Sequence, residues 1–137
     1  MPNPRELHKD LNHPYVAAPV VVMVWSFNNA TAADATFQGP KATRDMRLLK
    51  ASYQQTDDAT AVTSYTLTLK NGATALTTAL DIKGIAATAG ADFAGIAATN
   101  ASDLKDGDVM TAVFDETGGT VTAPGVVTIM LEFLLLE

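Results

Sequence analysis

The chain has 137 residues, 47% hydrophobic and 18% charged, with a formal net charge of −6, which suits one domain with a sizeable core. It contains no Cys, which excludes disulfides, thiolate metal sites and Cys nucleophiles. Its two His, His8 and His13, leave no imidazole beyond residue 13 for a Ser-His-Asp triad or a His-based metal site. The charge is uneven: residues 1–50 carry six basic and four acidic groups, residues 51–137 three and eleven, and so acidic a body repels nucleic-acid phosphates.

Residues 1–19 read as an extended N-terminal arm. Pro2, Pro4, Pro14 and Pro19 each remove a backbone donor and restrict the preceding residue. Arg5–Leu11 has room for one or two helical turns. The segment lacks the apolar core of a secretory signal, so folding in a cytoplasm is expected. Leu7, Leu11 and Tyr15 are its candidate anchors for a groove on another chain. His8 and His13 have only Asp10 as a nearby third ligand, and no metal site is assigned.

The next unit is a domain spanning 20–137. Val20–Phe27 is apolar on both parities, whereas a strand half-exposed to water alternates. The run is too short to span a bilayer. It is expected to be buried on both faces or to face a partner subunit, and Val22 and Trp25 join the arm residues as partner-binding candidates. A loop rich in Asn, Ala and Thr is expected through Gln38-Gly39-Pro40. Arg44–Tyr53 is the next strand, with Met46, Leu48 and Leu49 as its apolar content, and Gln54–Ala61 is a turn region.

Thr63–Lys70 alternates with period two and places Tyr65, Leu67 and Leu69 on one face. Asn71-Gly72 then predicts a two-residue type I′ turn. That register pairs Lys70 with Ala73, Leu69 with Thr74 and Leu67 with Leu76. The Ala- and Gly-rich stretch 85–101 leaves helix and irregular strand both open. Residues 104–108 form a turn feeding a strand over Val109–Phe114, with Met110, Ala112 and Phe114 inward. After a turn at Thr117–Thr120, the last strand runs from about Gly125 to Leu136. Its odd positions, Val127, Ile129, Leu131, Phe133 and Leu135, should be core.

Short strands at intervals of about ten residues, separated by Gly, Asn, Asp and Pro, predict an all-β, antiparallel β-sandwich of seven or eight strands. This is the jelly-roll range. Three stretches carry a family resemblance. They are Ala42–Ala51, the hairpin Tyr65–Gly72, and Leu104–Asp115 followed after a Gly turn by Pro124–Leu131. Their order and spacing resemble the β-sandwich decoration and head-fibre proteins of tailed bacteriophages. The resemblance covers roughly residues 42–133.

It implies a structural virion protein, not an enzyme, that binds the outside of an assembled capsid and stabilises or decorates it. The implied partners are the major capsid protein of the same particle and further copies of the chain, a trimer being the favoured form, with no nucleic acid and no membrane. The implied location is the capsid exterior, after assembly in the host cytoplasm. The rival reading is a glycan- or receptor-binding module of a head or tail fibre. No catalytic residue, cofactor or metal ligand is assigned. A glycosidase pair of carboxylates would need a cleft lined with sugar-stacking aromatics, and the chain has one Trp and three Tyr. Asp103–Asp108 is superficially like a calcium loop but lacks the EF-hand spacing, and reads as a turn with solvated carboxylates.

Overall fold

The computed structural model describes residues 19–136, apart from 32, 62, 98 and 120. The arm, with Leu7, Leu11 and Tyr15, lies outside the described residues. The alternating stretches become strands β1 (Val20–Asn29), β2 (Ala35–Lys41), β3 (Met46–Gln55), β4 (Thr60–Ala61), β5 (Ser64–Asn71) and β6 (Thr74–Ala75). They continue with β7 (Leu80–Asp81), β8 (Gly90–Asp92), β9 (Asp103–Leu104), β10 (Val109–Thr117), β11 (Val121–Thr122) and β12 (Gly125–Leu135). One sheet has the order β1-β12-β3-β8, with β9 also on β3. The other has the order β2-β10-β5-β6, with β7 also on β5, and β4 pairs with β11 at one end. The pairings β1–β12, β2–β10, β3–β8/β9 and β5–β6/β7 are nested and antiparallel, the wrapping of a jelly roll.

The odd row of β12 lies inward as expected: Val127, Ile129, Leu131 and Phe133 are fully buried, and Leu135 packs against the core. Met110, Ala112 and Phe114 of β10 meet Tyr65, Leu67 and Leu69 of β5 in the opposing layer, all buried. The stretch 85–101 contains no α-helix among its described residues. It holds β8 and the start of a single 3₁₀ turn at Asn100–Ser102, whose N-cap Thr99 accepts from the Ala101 N–H.

Two expectations are corrected, the loop through Pro40 and the register of the β5 hairpin. The loop expected through Pro40 is largely strand β2. It is an edge strand, where a residue without an N–H is tolerated, and its register slips against β10 around Gly39-Pro40. Strand β3 does not keep one parity. Leu49 is an extra residue opposite the Glu132/Phe133 step, so Met46 and Leu48 point inward before it and Ala51, Tyr53 and Gln55 after it, while Leu49 is turned out. The β5 hairpin turns at Gly72-Ala73, one residue later than expected. Asn71 pairs with Thr74 and Lys70 with Ala75. Asn71 stays in the strand because it pairs with Met110, and its Nδ2 donates to Asp108 Oδ2 at 2.9 Å. Gly72 does take positive φ, +60°, now at the first central position, as in a type II′ turn. Leu76 then stands beside Leu69, to whose carbonyl its N–H donates at 2.8 Å, and a further irregularity before β7 sets Leu67 opposite Leu80.

Strand β1 is buried on one face only within the chain, so of the two expectations for it, burial on both faces is not met and a face turned to a partner subunit is the one left standing. Met23, Trp25 and Phe27 point inward; Val20, Val22 and Val24 point outward. Phe27 bridges the layers, stacking on Phe37 at 4.4 Å and meeting Phe114 edge-on at 5.9 Å. Trp25 closes the same side of the sandwich over Gly39, where an added Cβ would lie 2.6 Å from the indole ring.

Two measurements check this packing. Phe133→Ala should lower stability by about 3–5 kcal/mol through lost transfer energy and a cavity. Glu132→Ala, on the outward parity of the same strand, should cost under about 1 kcal/mol. Gly39→Val should cost about 1–3 kcal/mol, because the buried Trp25 ring must shift to admit it. Chemical denaturation of the three variants against the parent reads all these values, and equal losses at 132 and 133 would reverse the facing of β12.

Candidate functional site

The two outer faces of the sandwich differ in chemistry. The outward residues of β5, β10 and β2 include Thr66, Thr68, Lys70, Thr111, Asp115, Thr36 and Gln38. On the other sheet an apolar stripe stands among polar and charged outward residues such as Lys50, Ser52, Asp92, Thr128 and Glu132. Val20, Val22 and Val24 on β1, Val126 and Met130 on β12, and Leu49 on β3 are the exposed large hydrophobic side chains among the described residues. Val24 is 66% exposed and Met130, its cross-strand neighbour, 49%. Val20 stands opposite Leu134, and Val22 opposite Glu132.

The strand period accounts for this stripe. In β1 both parities are apolar, but the sandwich needs only one of them for its core. Val22, a partner-binding candidate from the sequence, therefore lies on the open face. Trp25, the other candidate on this strand, does not: its odd parity sends it into the core, 7% exposed, tilted against Phe27 at 5.3 Å. No sequence pattern marks Met130 and Val126 as members of the stripe, because β12 reads as mixed on its even parity. Only the pairing register reveals them.

Beside the stripe, toward β8, the face becomes polar and slightly hollow. A groove of about 500 Å³ is lined by Ser52, Gln54, Gly90, Asp92, Thr128 and Met130, with Tyr53 in its floor. A smaller hollow of about 170 Å³ next to it is lined by Val22, Lys50, Ser52, Asp92, Met130 and Glu132. Thr88, at the rim of a third hollow with Gln54, Thr56 and Val126, holds a φ of +63° while its N–H donates to the Gln55 carbonyl at 2.9 Å. A β-branched residue in that region stores roughly 1–3 kcal/mol of strain.

Two carboxylates of the Asp103–Asp108 turn are held by groups of the chain itself. Asp103 accepts from Arg47 Nε at 2.6 Å, and the ion pair raises the Arg47 pKa. Asp108 accepts from the Lys105 N–H at 2.8 Å and from Asn71, and these bonds hold its carboxyl below the usual range. Among the described residues no three His, Asp or Glu side chains converge as metal ligands.

Under the groove, Tyr53 Oη donates to Gln55 Oε1 at 2.6 Å, and Gln55 Nε2 donates to the Ile85 carbonyl at 2.5 Å. In the same core, Asn29 Nδ2 donates to Tyr65 Oη at 3.2 Å. Burial pushes the Tyr53 phenol well above its ordinary range, with the nearby Tyr65 adding to it. Burial raises Tyr65 as well; the Asn29 hydrogen bond opposes it, and Glu116 and Asp34 add to it. Both phenols are thus kept neutral by the fold. An unfolded phenol ionises near pH 10, so this contribution to stability is whole below about pH 10 and is lost as pH rises beyond it. Denaturation midpoints should therefore hold up to about pH 10 and fall progressively above it. Tyr53→Phe should start lower, since Gln55 Oε1 loses its donor, and then decline less steeply.

No family model matches the chain, and no curated relative matches it. Among solved structures it is similar to the one described as "Bacillus endospore appendages form a novel family of disulfide-linked pili", at 18% identity over 88% of this chain and 90% of that chain, with a TM-score of 0.41.

Proposed function

We propose that the chain is a structural virion protein that docks on the outside of an assembled bacteriophage capsid and stabilises it. The observation that carries this proposal is that the exposed large hydrophobic side chains among the described residues, Val20, Val22, Val24, Leu49, Val126 and Met130, all lie on the outer face of one sheet and none on the other. Contiguous exposed apolar surface rimmed by polar groups is characteristic of a docking face. Further support comes from the order and spacing of 42–51, 65–72, 104–115 and 124–131, which resemble phage decoration and head-fibre sandwiches. On this reading residues 1–19 add Leu7, Leu11 and Tyr15 to the contact. The physics is mass action, because a ligand that binds only the assembled shell stabilises the assembled shell.

The groove at Ser52, Gln54, Asp92 and Thr128 favours a second reading, a glycan- or receptor-binding module, since it offers hydroxyl, amide and carboxylate groups at one place. Its rim carries no exposed aromatic ring on which a sugar would stack, so shell docking is preferred.

Co-sedimentation with genome-free capsids tests the proposal. The parent chain should pellet with shells. Met130→Asp should weaken that binding about tenfold or more, and Thr68→Asp on the opposite sheet should leave it unchanged. A chain that stays in the supernatant with shells but is retained on a glycan array would favour the second reading. Equal losses at 130 and 68 would remove the assigned face.

A further inference from the structure

The sheet edges of the sandwich are not alike. Edge strand β2 is interrupted by the irregularity at Gly39-Pro40 and ends at Lys41. Strand β8 is three residues long and ends at Asp92, and β6 and β7 have two residues each. Short strands, Pro, bulges and charges are the devices by which sheets avoid pairing with other chains. Strand β1 has none of them. It runs ten residues, keeps an unshifted register with β12 from Val20↔Leu134 to Asn29↔Gly125, and contains neither Pro nor a charged residue. Among the described residues β12 is its one partner strand, so its other side presents a straight row of N–H and C=O groups.

We infer that this edge is self-pairing: β1 of one copy joins β1 of a second copy, antiparallel across a two-fold axis, so that two β1-β12-β3 sheets become one continuous sheet. A second copy suits the edge although each chain carries a net charge of −6, because β1 has no charged residue and the contact sets no like charges against each other. The strand is also self-complementary. A register centred on Val22 places Val20 opposite Val24 on the outer face and Val21 opposite Met23 on the inner face, all apolar. Val20–Val24 is a cross-strand β-branched pair of the kind that stabilises sheets, and Val21–Met23 adds an apolar contact. An isologous contact uses the same patch twice and closes at two copies, in place of the trimer that the family resemblance implies. The inference goes beyond shell docking, for it uses the backbone edge of β1 and leaves the outward side chains free to form one wider apolar platform.

Sedimentation equilibrium on the full-length chain, without any shell, gives the first test. The expected mass is twice 14.4 kDa, and Val24→Lys should return it to a single chain with an unchanged circular-dichroism spectrum. Should Val24→Lys fail to fold, Val22→Cys decides, because an exposed Val→Cys change is mild and the parent has no Cys. Under oxidising conditions Val22→Cys should become a disulfide-linked pair, while Ala75→Cys, exposed on β6, should remain single. A one-chain or three-chain mass for the parent, or Val22→Cys cross-linking no better than Ala75→Cys, overturns the inference. So does a one-chain mass that doubles only when residues 1–18 are deleted, since the arm would then be the occupant of the edge. Shell binding is read separately through Met130→Asp, so a dimer without shell binding would refute the docking proposal alone.

Discussion

The long pairings of this sandwich belong to one antiparallel ribbon that reverses at Gly72-Ala73. From that tip outward the chain pairs β5 with β6 and β7, β3 with β8 and β9, β2 with β10, and β1 with β12. Successive lengths of the ribbon then fall alternately into the two layers. The lateral ladders β12–β3 and β10–β5 seal each layer. A slip of one residue near the tip would turn the apolar row of β5 outward, and with it the facing of the strands paired beyond it. The position of the turn is therefore held by several contacts at once: positive φ at Gly72, the Asn71–Asp108 hydrogen bond, and the pairing of Asn71 with Met110.

Two irregularities let the ribbon close over a packed interior. The extra residue at Leu49 resets the parity of β3, so that Leu48 and Ala51 both reach the core although an unbroken strand would send one of them to solvent. The slip at Gly39-Pro40 brings a residue without a side chain beneath Trp25. The indole ring takes up the volume that a Cβ would have filled, and the sheets approach closely at that margin. Both features exchange ladder regularity for burial, which is the larger quantity where a Trp or Leu side chain is concerned.

Much of the fold is legible in the sequence, and the departures have identifiable causes. The odd row of β12 and the alternation of β5 and β10 are readable because a period of two with one apolar parity has a single solution in a sandwich. The hairpin turn lies one residue beyond its sequence signal because Asn-Gly is a local cue, and a distant partner, Asp108, holds Asn71 in the strand. Strand β2 is hidden because Gly39-Pro40 looks like a breaker, and only its place at an edge makes it tolerable. For the exposed apolar stripe, Val22 is visible as part of a doubly apolar run, but no local pattern says which parity faces out. Trp25 and Val22 belong to opposite faces, a fact set by the core that β12 and β2 build beside them. Met130 and Val126 are not visible at all, since they join the stripe only through register.

The nested ribbon also dictates how the domain carries mechanical load. Val20 stands beside Leu134, so the chain enters β1 and leaves β12 at the same end of the same ladder. Tension applied at residues 19 and 136 would open the ladder one rung at a time, each rung resisting with a net hydrogen-bond energy of only about 1 kcal/mol. Tension applied instead at Asn29 and Leu135, the opposite ends of the two strands, would shear the whole ladder at once. The domain is thus compliant when pulled through residues 19 and 136 and stiff when pulled along the strands from opposite ends of the β1–β12 ladder.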